Sequence, residues 1–272
     1  MRKAALALLL AARLGGAELR SKTVAAFDHY VRLTEARIQS EVADPGRFLW
    51  PDFLPEARRR TVYDQLRQGQ IVIEELQTRE GGRTIPIPDG LVHHRLAVVF
   101  IPGATLGQAV GVTTDFDNYQ KIYRPDMVRS KLLRKEGNRY QAYLRFFKKK
   151  VVTAVLDTEH EIEYFEIDAA RGHSRSRATR IAEVDNPDRA EERQRPPGKD
   201  RGLLWRLNTY WRFQQKDGGA YAQIESVSLT RDAPGPLDWV MGPFLRAAPR
   251  EFLYNTIHST RAALAPAASP GR

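Results

Sequence analysis

The feature that most constrains the fold is a long succession of strand-like segments that ends in one helical segment. Between residues 123 and 231, runs of β-branched and aromatic residues alternate with turn signals. Those signals are Glu136-Gly137-Asn138, the Lys148-Lys149-Lys150 stretch, residues 168–172 and Asp217-Gly218-Gly219. Residues 238–265 then have helical spacing, with Leu253, Ile257 and Thr260 on one stripe. Because short connections join antiparallel neighbours, the pattern predicts an antiparallel sheet followed by a C-terminal helix.

A different pattern precedes the sheet. Phe27, Val31 and Ile38 recur at helical spacing within residues 21–42, and a second helix is expected between Pro55 and Gly69. Turn signals follow, and then the strand that begins at residue 91. We therefore predict an N-terminal helical and β extension at residues 18–90, a main domain at residues 91–265 and a frayed tail at residues 266–272.

The first residues have the character of an export signal. Arg2 and Lys3 precede a nine-residue apolar run, which is followed by the small residues Gly15-Gly16-Ala17. This predicts a signal peptide at residues 1–17, cleaved near Ala17, and a periplasmic or secreted protein. Arg13 directly follows the apolar run, so a cytoplasmic location is the alternative.

Composition narrows the possible chemistry. The absence of cysteine excludes disulfides, thiolate metal sites and a cysteine nucleophile. His93 and His94 are adjacent, so in a strand they point to opposite faces and cannot chelate one metal together. No phosphate-binding glycine loop or nucleophile elbow is found, and we expect neither a metal nor another cofactor.

The net charge indicates which classes of partner the protein could bind. The formal net charge is +10, which would suit contact with an anionic membrane surface. Stacking aromatics are not interleaved with the basic residues, so nucleic-acid binding is not expected. We expect a monomer whose main partner is a small molecule.

Several local stretches resemble one known superfamily. They are Phe100-Ile101-Pro102-Gly103-Ala104, residues 117–125, Trp211-Arg212-Phe213, residues 217–221 and residues 256–261. Over about residues 91–265 the chain resembles START-like proteins, also called the SRPBCC or helix-grip superfamily. The resemblance implies an α+β helix-grip fold, in which a curved antiparallel sheet wraps around a long C-terminal helix. It also implies a cavity between sheet and helix for lipids, sterols, polyketides or hormones.

Strand periodicity selects candidate residues for such a cavity. In residues 205–215 the odd positions are mainly apolar and are expected to face the helix, as are Val227 and Leu229, with which Glu225 shares a face. His160 falls in register with Ile162 and Tyr164. A buried Glu225 would need a partner such as His160 or Arg180. The predicted ligand-binding residues are Tyr164, Trp205, Trp211, Glu225, Trp239, Phe252 and His160.

Three functions fit these expectations. The first is non-catalytic binding or transport of a hydrophobic, lipid- or polyketide-like molecule, with no residue assigned to catalysis. The second is a cofactor-independent enzyme of the cyclase or aromatase type, with Glu225 or His160 as acid or base. The third is a structural or membrane-surface protein whose cavity is filled by its own side chains. An open apolar cavity favours the first, convergent titratable groups the second, and a closed core the third.

Overall fold

The computed structural model describes residues 19–149, 153–232 and 238–264, without the side chains of residues 238–245. Its helices are α1 (Ser21–Val42), α2 (Glu56–Arg67), α3 (Leu106–Thr114), α4 (Tyr119–Ile122) and α5 (Asp238–Leu264), with 3₁₀ turns at Trp50–Phe53 and Phe116–Asn118. Its strands are β1 (Val72–Glu75), β2 (Arg79–Glu80), β3 (Arg83–Thr84), β4 (Gly90–Pro102), β5 (Met127–Glu136), β6 (Arg139–Lys149), β7 (Thr153–Asp168), β8 (Arg171–Asp185), β9 (Arg193–Gln194), β10 (Arg206–Lys216) and β11 (Gly219–Arg231). The predicted signal peptide and the predicted tail lie outside the described residues.

One large antiparallel sheet organises the molecule. Its strand order is β1-β4-β11-β10-β8-β7-β6-β5, and β9 pairs with β8 beside this path. The C-terminal helix α5 packs mainly against β4 and β11. A curved antiparallel sheet that holds a long C-terminal helix is an α+β helix-grip fold, so the expected fold class is confirmed.

The inner face of the sheet forms the core with α5. Small and medium apolar residues of β4 and β11, such as Ala97 and Ile224, alternate with residues of the other face. Trp211 and Phe213 of β10 extend this surface, and Leu253 and Ile257 of α5 pack on it. The odd positions of β10 therefore face the C-terminal helix, as its period-two pattern predicts.

The outer face is covered by the N-terminal extension. Phe27 and Tyr30 of α1 pack on Val227 and Leu229 of β11. Further along the same face, a second cluster joins residues before and within α2 to β4 and β11: Phe48, Leu49, Val62, Leu66, Leu96, Val98 and Tyr221. The extension also contributes β1, which pairs with β4. The central strands thus lie between two helical layers and are buried on both faces.

None of the described helices is both long and apolar enough to span a membrane.

Candidate ligand cavity

Two adjoining cavities lie between the inner face of the sheet and α5. The inner cavity, of about 70 Å³, lies beside α4 and reaches from β5 to β11. The outer cavity, of about 130 Å³, lies towards the N-terminal half of α5. Phe146, Leu207 and Phe252 line both of them, so the cavities share one wall. The two cavities therefore adjoin between the sheet and its C-terminal helix.

Aromatic residues form the roof of the inner cavity. Tyr119, Tyr123 and Tyr164 line it beside Phe116 and Met127. The hydroxyl of Tyr119 donates to the Thr113 carbonyl at 2.6 Å, Tyr164 donates to the same oxygen, and Tyr123 lies 3.2 Å from the Thr260 hydroxyl. Burial raises the pKa of Tyr123 and of Tyr164, so both phenols stay neutral. These tyrosines fasten α3 and α5 over the cavity.

Short polar side chains line the sheet side of the inner cavity. Ser174 and Ser176 occupy successive inward positions of β8. Across the ladders, Ser174 lies between Tyr164 of β7 and Trp211 of β10. Ser174 is only 2% exposed, and its hydroxyl makes no hydrogen bond of ordinary geometry within the described part of the chain, although it lies near enough to the Tyr164 hydroxyl to lower the pKa of that phenol. A buried polar atom without such a hydrogen bond is unusual, and here it borders a cavity.

His160 is the one titratable imidazole among the described residues that line the inner cavity. Its Nε2 lies 2.9 Å from the Thr158 hydroxyl, and its Nδ1 lies 3.5 Å from the Ser176 hydroxyl. Burial lowers the pKa of His160 to about 4. The ring is therefore neutral near pH 7, where it can share hydrogen bonds but is a weak proton acceptor.

Neutral burial of His160 makes the fold sensitive to acid. Because its pKa falls from 6.5 to about 4 on folding, the unfolded chain binds the proton first as pH drops. We expect His160 alone to remove about 3 kcal/mol from the free energy of unfolding between pH 6.5 and pH 4. Urea unfolding should show that, over this pH range, the free energy of unfolding of His160→Gln falls by about 3 kcal/mol less than that of the wild type. His258→Gln, at an exposed site on α5, is the matched control for the replacement of a histidine by glutamine.

The outer cavity has an apolar wall and a hydroxyl-bearing wall. Leu156, Leu203 and Leu204 form the first. The second is a row of alternate β11 residues, Ser226, Ser228 and Thr230. This row places hydroxyl groups along one edge of an otherwise apolar space.

An ion pair closes one end of the outer cavity. Lys148 of β6 lies 2.9 Å from Asp126 and 3.2 Å from Glu251 of α5, while Asn255 donates to Asp126 at 2.6 Å. Burial alone would lower the pKa of Lys148, but its hydrogen bond and the charge of Asp126 outweigh burial and raise it. Lys148 therefore stays charged and paired, and the cluster ties α5 to the sheet.

Four of the predicted ligand-binding residues line the inner cavity: His160, Tyr164, Trp211 and Phe252. The side chain of Trp239 lies outside the described residues. Sequence reasoning missed Ser174, Ser176 and Thr209, as well as Leu207 in its role as a shared wall. Leu207 and Thr209 belong to the odd positions of β10 already expected to face the helix, so that pattern could have identified them.

The expected inward orientation of Glu225 is wrong. Its carboxylate lies on the outer face, where it accepts a hydrogen bond from His94 at 2.7 Å and pairs with Arg37 of α1. Neither His160 nor Arg180 is its partner, and Arg180 pairs at the surface with Glu159. The apolar residues that share a face with Glu225 are buried under the N-terminal helices, which is why their pattern resembled a cavity wall.

The expected position of Trp205 in the cavity is also wrong. Trp205 precedes the first residue of β10, so strand alternation does not apply to it. Its ring packs with Phe27 and Val227 in the outer cluster, and its indole N–H donates to Asp200 at 2.9 Å.

Within the described ranges, no group of three or more His, Asp or Glu side chains is placed to hold a metal ion.

Comparisons with known proteins give distant structural similarities. No family model matches the chain, and no curated protein matches it. A STAR-related lipid transfer protein from Xanthomonas axonopodis is similar over 70% of this chain and 98% of its own, with 16% identity and a TM-score of 0.46. The Zhui aromatase/cyclase from a Streptomyces species is similar over 64% of this chain and 94% of its own, with 12% identity and a TM-score of 0.44. Human STARD10 is similar over 82% of this chain and 83% of its own, with 13% identity and a TM-score of 0.44.

Proposed function

We propose that this protein binds a hydrophobic small molecule, lipid- or polyketide-like in character, between its sheet and α5. The observation that carries the proposal is the pair of adjoining cavities, whose walls are mostly apolar while a few polar side chains line them on the sheet side. This is the usual composition of a small-molecule site, in which apolar surface supplies affinity and a few polar groups fix orientation.

The geometry favours binding over the two alternatives. A filled cavity would leave no space between β10 and α5, whereas cavities of about 70 and 130 Å³ adjoin there. The cyclase alternative considered Glu225 or His160 as the acid or base. Glu225 lies on the face of the sheet away from the cavities, and His160 is a weak base with a pKa of about 4. Binding without acid/base chemistry by these two residues is therefore the function that the site supports best.

A larger side chain at the wall that the two cavities share should weaken binding. Leu207 lines both cavities, so Leu207→Trp would occupy the space in which they meet. We expect naphthalene, an apolar probe, to raise the thermal unfolding temperature of the wild type and to bind this variant at least about tenfold more weakly. Calorimetric titration measures the affinities directly.

Leu133→Trp is the matched control, because Leu133 is 49% exposed on β5 and lies away from the cavity. It should bind naphthalene like the wild type. If Leu207→Trp folds and binds naphthalene as tightly as Leu133→Trp does, the cavity is not the binding site. If the wild type binds neither naphthalene nor any compound of an apolar library, the proposed function is wrong.

A further inference from the structure

We infer that the molecule held in this cavity is compact and uncharged, with one or two rings and a hydroxyl or carbonyl group that hydrogen-bonds to Ser174. The inference rests on the proposed binding function and specifies the chemical class of the ligand. It is carried by the size of the site, the pairing of its charges and the position of one buried hydroxyl.

The size of the site favours a compact ligand. An apolar cavity of about 150 Å³ holds one benzene ring, and pockets for drug-sized molecules span about 300–1,000 Å³. The inner and outer cavities have volumes of about 70 and 130 Å³, and their combined volume lies between these two values. That space suits one or two rings, and it is too small for a phospholipid with two acyl chains.

The charges around the site favour an uncharged ligand. No Lys, Arg, Asp or Glu is among the described residues that line the inner cavity, and His160 is neutral there near pH 7. In the outer cavity, Lys148 is already paired with Asp126 and Glu251. An ionised ligand would lose its hydration without gaining a counter-ion, which is costly in an apolar site.

The position of Ser174 indicates where the polar group of the ligand would bind. The serine hydroxyl is buried, makes no hydrogen bond of ordinary geometry among the described residues and borders the inner cavity beside Tyr164. Tyr164 and Trp211 flank it on the neighbouring strands, so a flat ring beside the hydroxyl would meet aromatic side chains on both sides. A ligand oxygen at this point would satisfy the serine and fix the orientation of the ring.

Three probes with one carbon skeleton separate these properties. Naphthalene has no polar group, 2-naphthol adds an uncharged hydroxyl, and 2-naphthoate adds a charged carboxylate. By calorimetry at neutral pH we expect the full chain to bind 2-naphthol at least about tenfold more tightly than 2-naphthoate. We expect 2-naphthol to bind about two- to tenfold more tightly than naphthalene, the range that one hydrogen bond gives.

Replacement of the serine tests the contact itself. Ser174→Ala should remove the preference for 2-naphthol over naphthalene. Ser40→Ala, at an exposed position of α1, is the matched control and should keep the preference.

A two-chain lipid tests the size of the ligand. After the protein is incubated with phosphatidylcholine vesicles, we expect native mass spectrometry to detect no phosphatidylcholine bound to it.

Each other outcome has a definite meaning. Equal or tighter binding of 2-naphthoate overturns the uncharged class, and stoichiometric uptake of phosphatidylcholine overturns the compact class. A preference for 2-naphthol that survives in Ser174→Ala overturns the assigned contact. In all three cases the proposed binding function stands. Failure of the naphthalene series and of phosphatidylcholine to bind at all overturns that function together with this inference.

Discussion

Replacement of Glu225 by alanine is expected to lower the free energy of unfolding by about 3–5 kcal/mol, because it removes one partner from a buried charge network. Glu225 is 1% exposed and binds Arg37 and His94. Arg212, also almost fully buried, donates to Glu41 at 2.5 Å and to the Phe48 carbonyl at 2.8 Å. Without Glu225, two guanidinium groups share the single carboxylate of Glu41. Urea unfolding at neutral pH measures the loss.

The control for this change is a substitution that breaks a solvent-exposed ion pair. Glu161 pairs with Arg177 at 3.6 Å, and both side chains are more than half exposed. Glu161→Ala should therefore cost less than about 1 kcal/mol. If Glu225→Ala costs no more than this control, the buried network does not stabilise the fold.

Acid should reduce the contribution of Glu225 to the free energy of unfolding. Burial alone would raise the pKa of Glu225, but the hydrogen bond with His94 and the charge of Arg37 outweigh burial and hold that pKa below its usual value. A carboxyl with a depressed pKa stabilises the fold above its unfolded pKa, and this stabilisation is lost as pH falls through the folded pKa. The difference in stability between wild type and Glu225→Ala should accordingly shrink towards low pH.

The sheet and its closing helix could be predicted because their signals are local. The β10–β11 hairpin turns at Asp217-Gly218, where both residues have positive φ, as a two-residue hairpin turn requires. Gly137 marks the β5–β6 hairpin in the same way, with a φ of 57°. The helix expected at residues 238–265 is observed at Asp238–Leu264. Such signals need no knowledge of what packs against the element.

The side of the sheet that a residue faces could be predicted only where one side meets water. On β7, Glu159, Glu161 and Glu163 alternate with His160 and Ile162, so the inward positions stand out. Nearly every residue of β11 is buried, because α5 covers one face and α1 and α2 the other. Its apolar residues therefore carry no information about which helical layer they contact, and the position of Glu225 was misjudged for this reason.

Ser174 and Ser176 were missed for the opposite reason. They alternate with Arg175 and Arg177, so both faces of this part of β8 are polar in sequence. The inward face of a strand is recognised in sequence by apolar residues that alternate with polar ones. Small hydroxyl residues that face a cavity do not produce this alternation. Only the ladders to Tyr164 and Trp211 place these serines in the site.

Removal of the N-terminal extension is expected to have the largest effect of any change considered. A chain that begins at residue 88 lacks α1, α2 and β1, and it would expose the outer apolar face of β4 and β11, including Val98 and Leu229. Glu225 and Arg212 would lose the partners that α1 supplies. Since a domain has only about 5–15 kcal/mol of net stability, this loss should prevent cooperative folding. Thermal unfolding followed by circular dichroism, together with gel filtration, measures the outcome.

A chain that begins at residue 19 is the matched control, because it retains α1, α2 and β1 and should unfold in one sharp transition. A sharp transition and a monomeric elution volume for the chain that begins at residue 88 would contradict the prediction. The expected failure has a specific cause. The outer face of the sheet combines large apolar residues with buried charges. In the described part of the chain, the N-terminal extension provides the apolar cover of this face, and α1 provides the opposite charges.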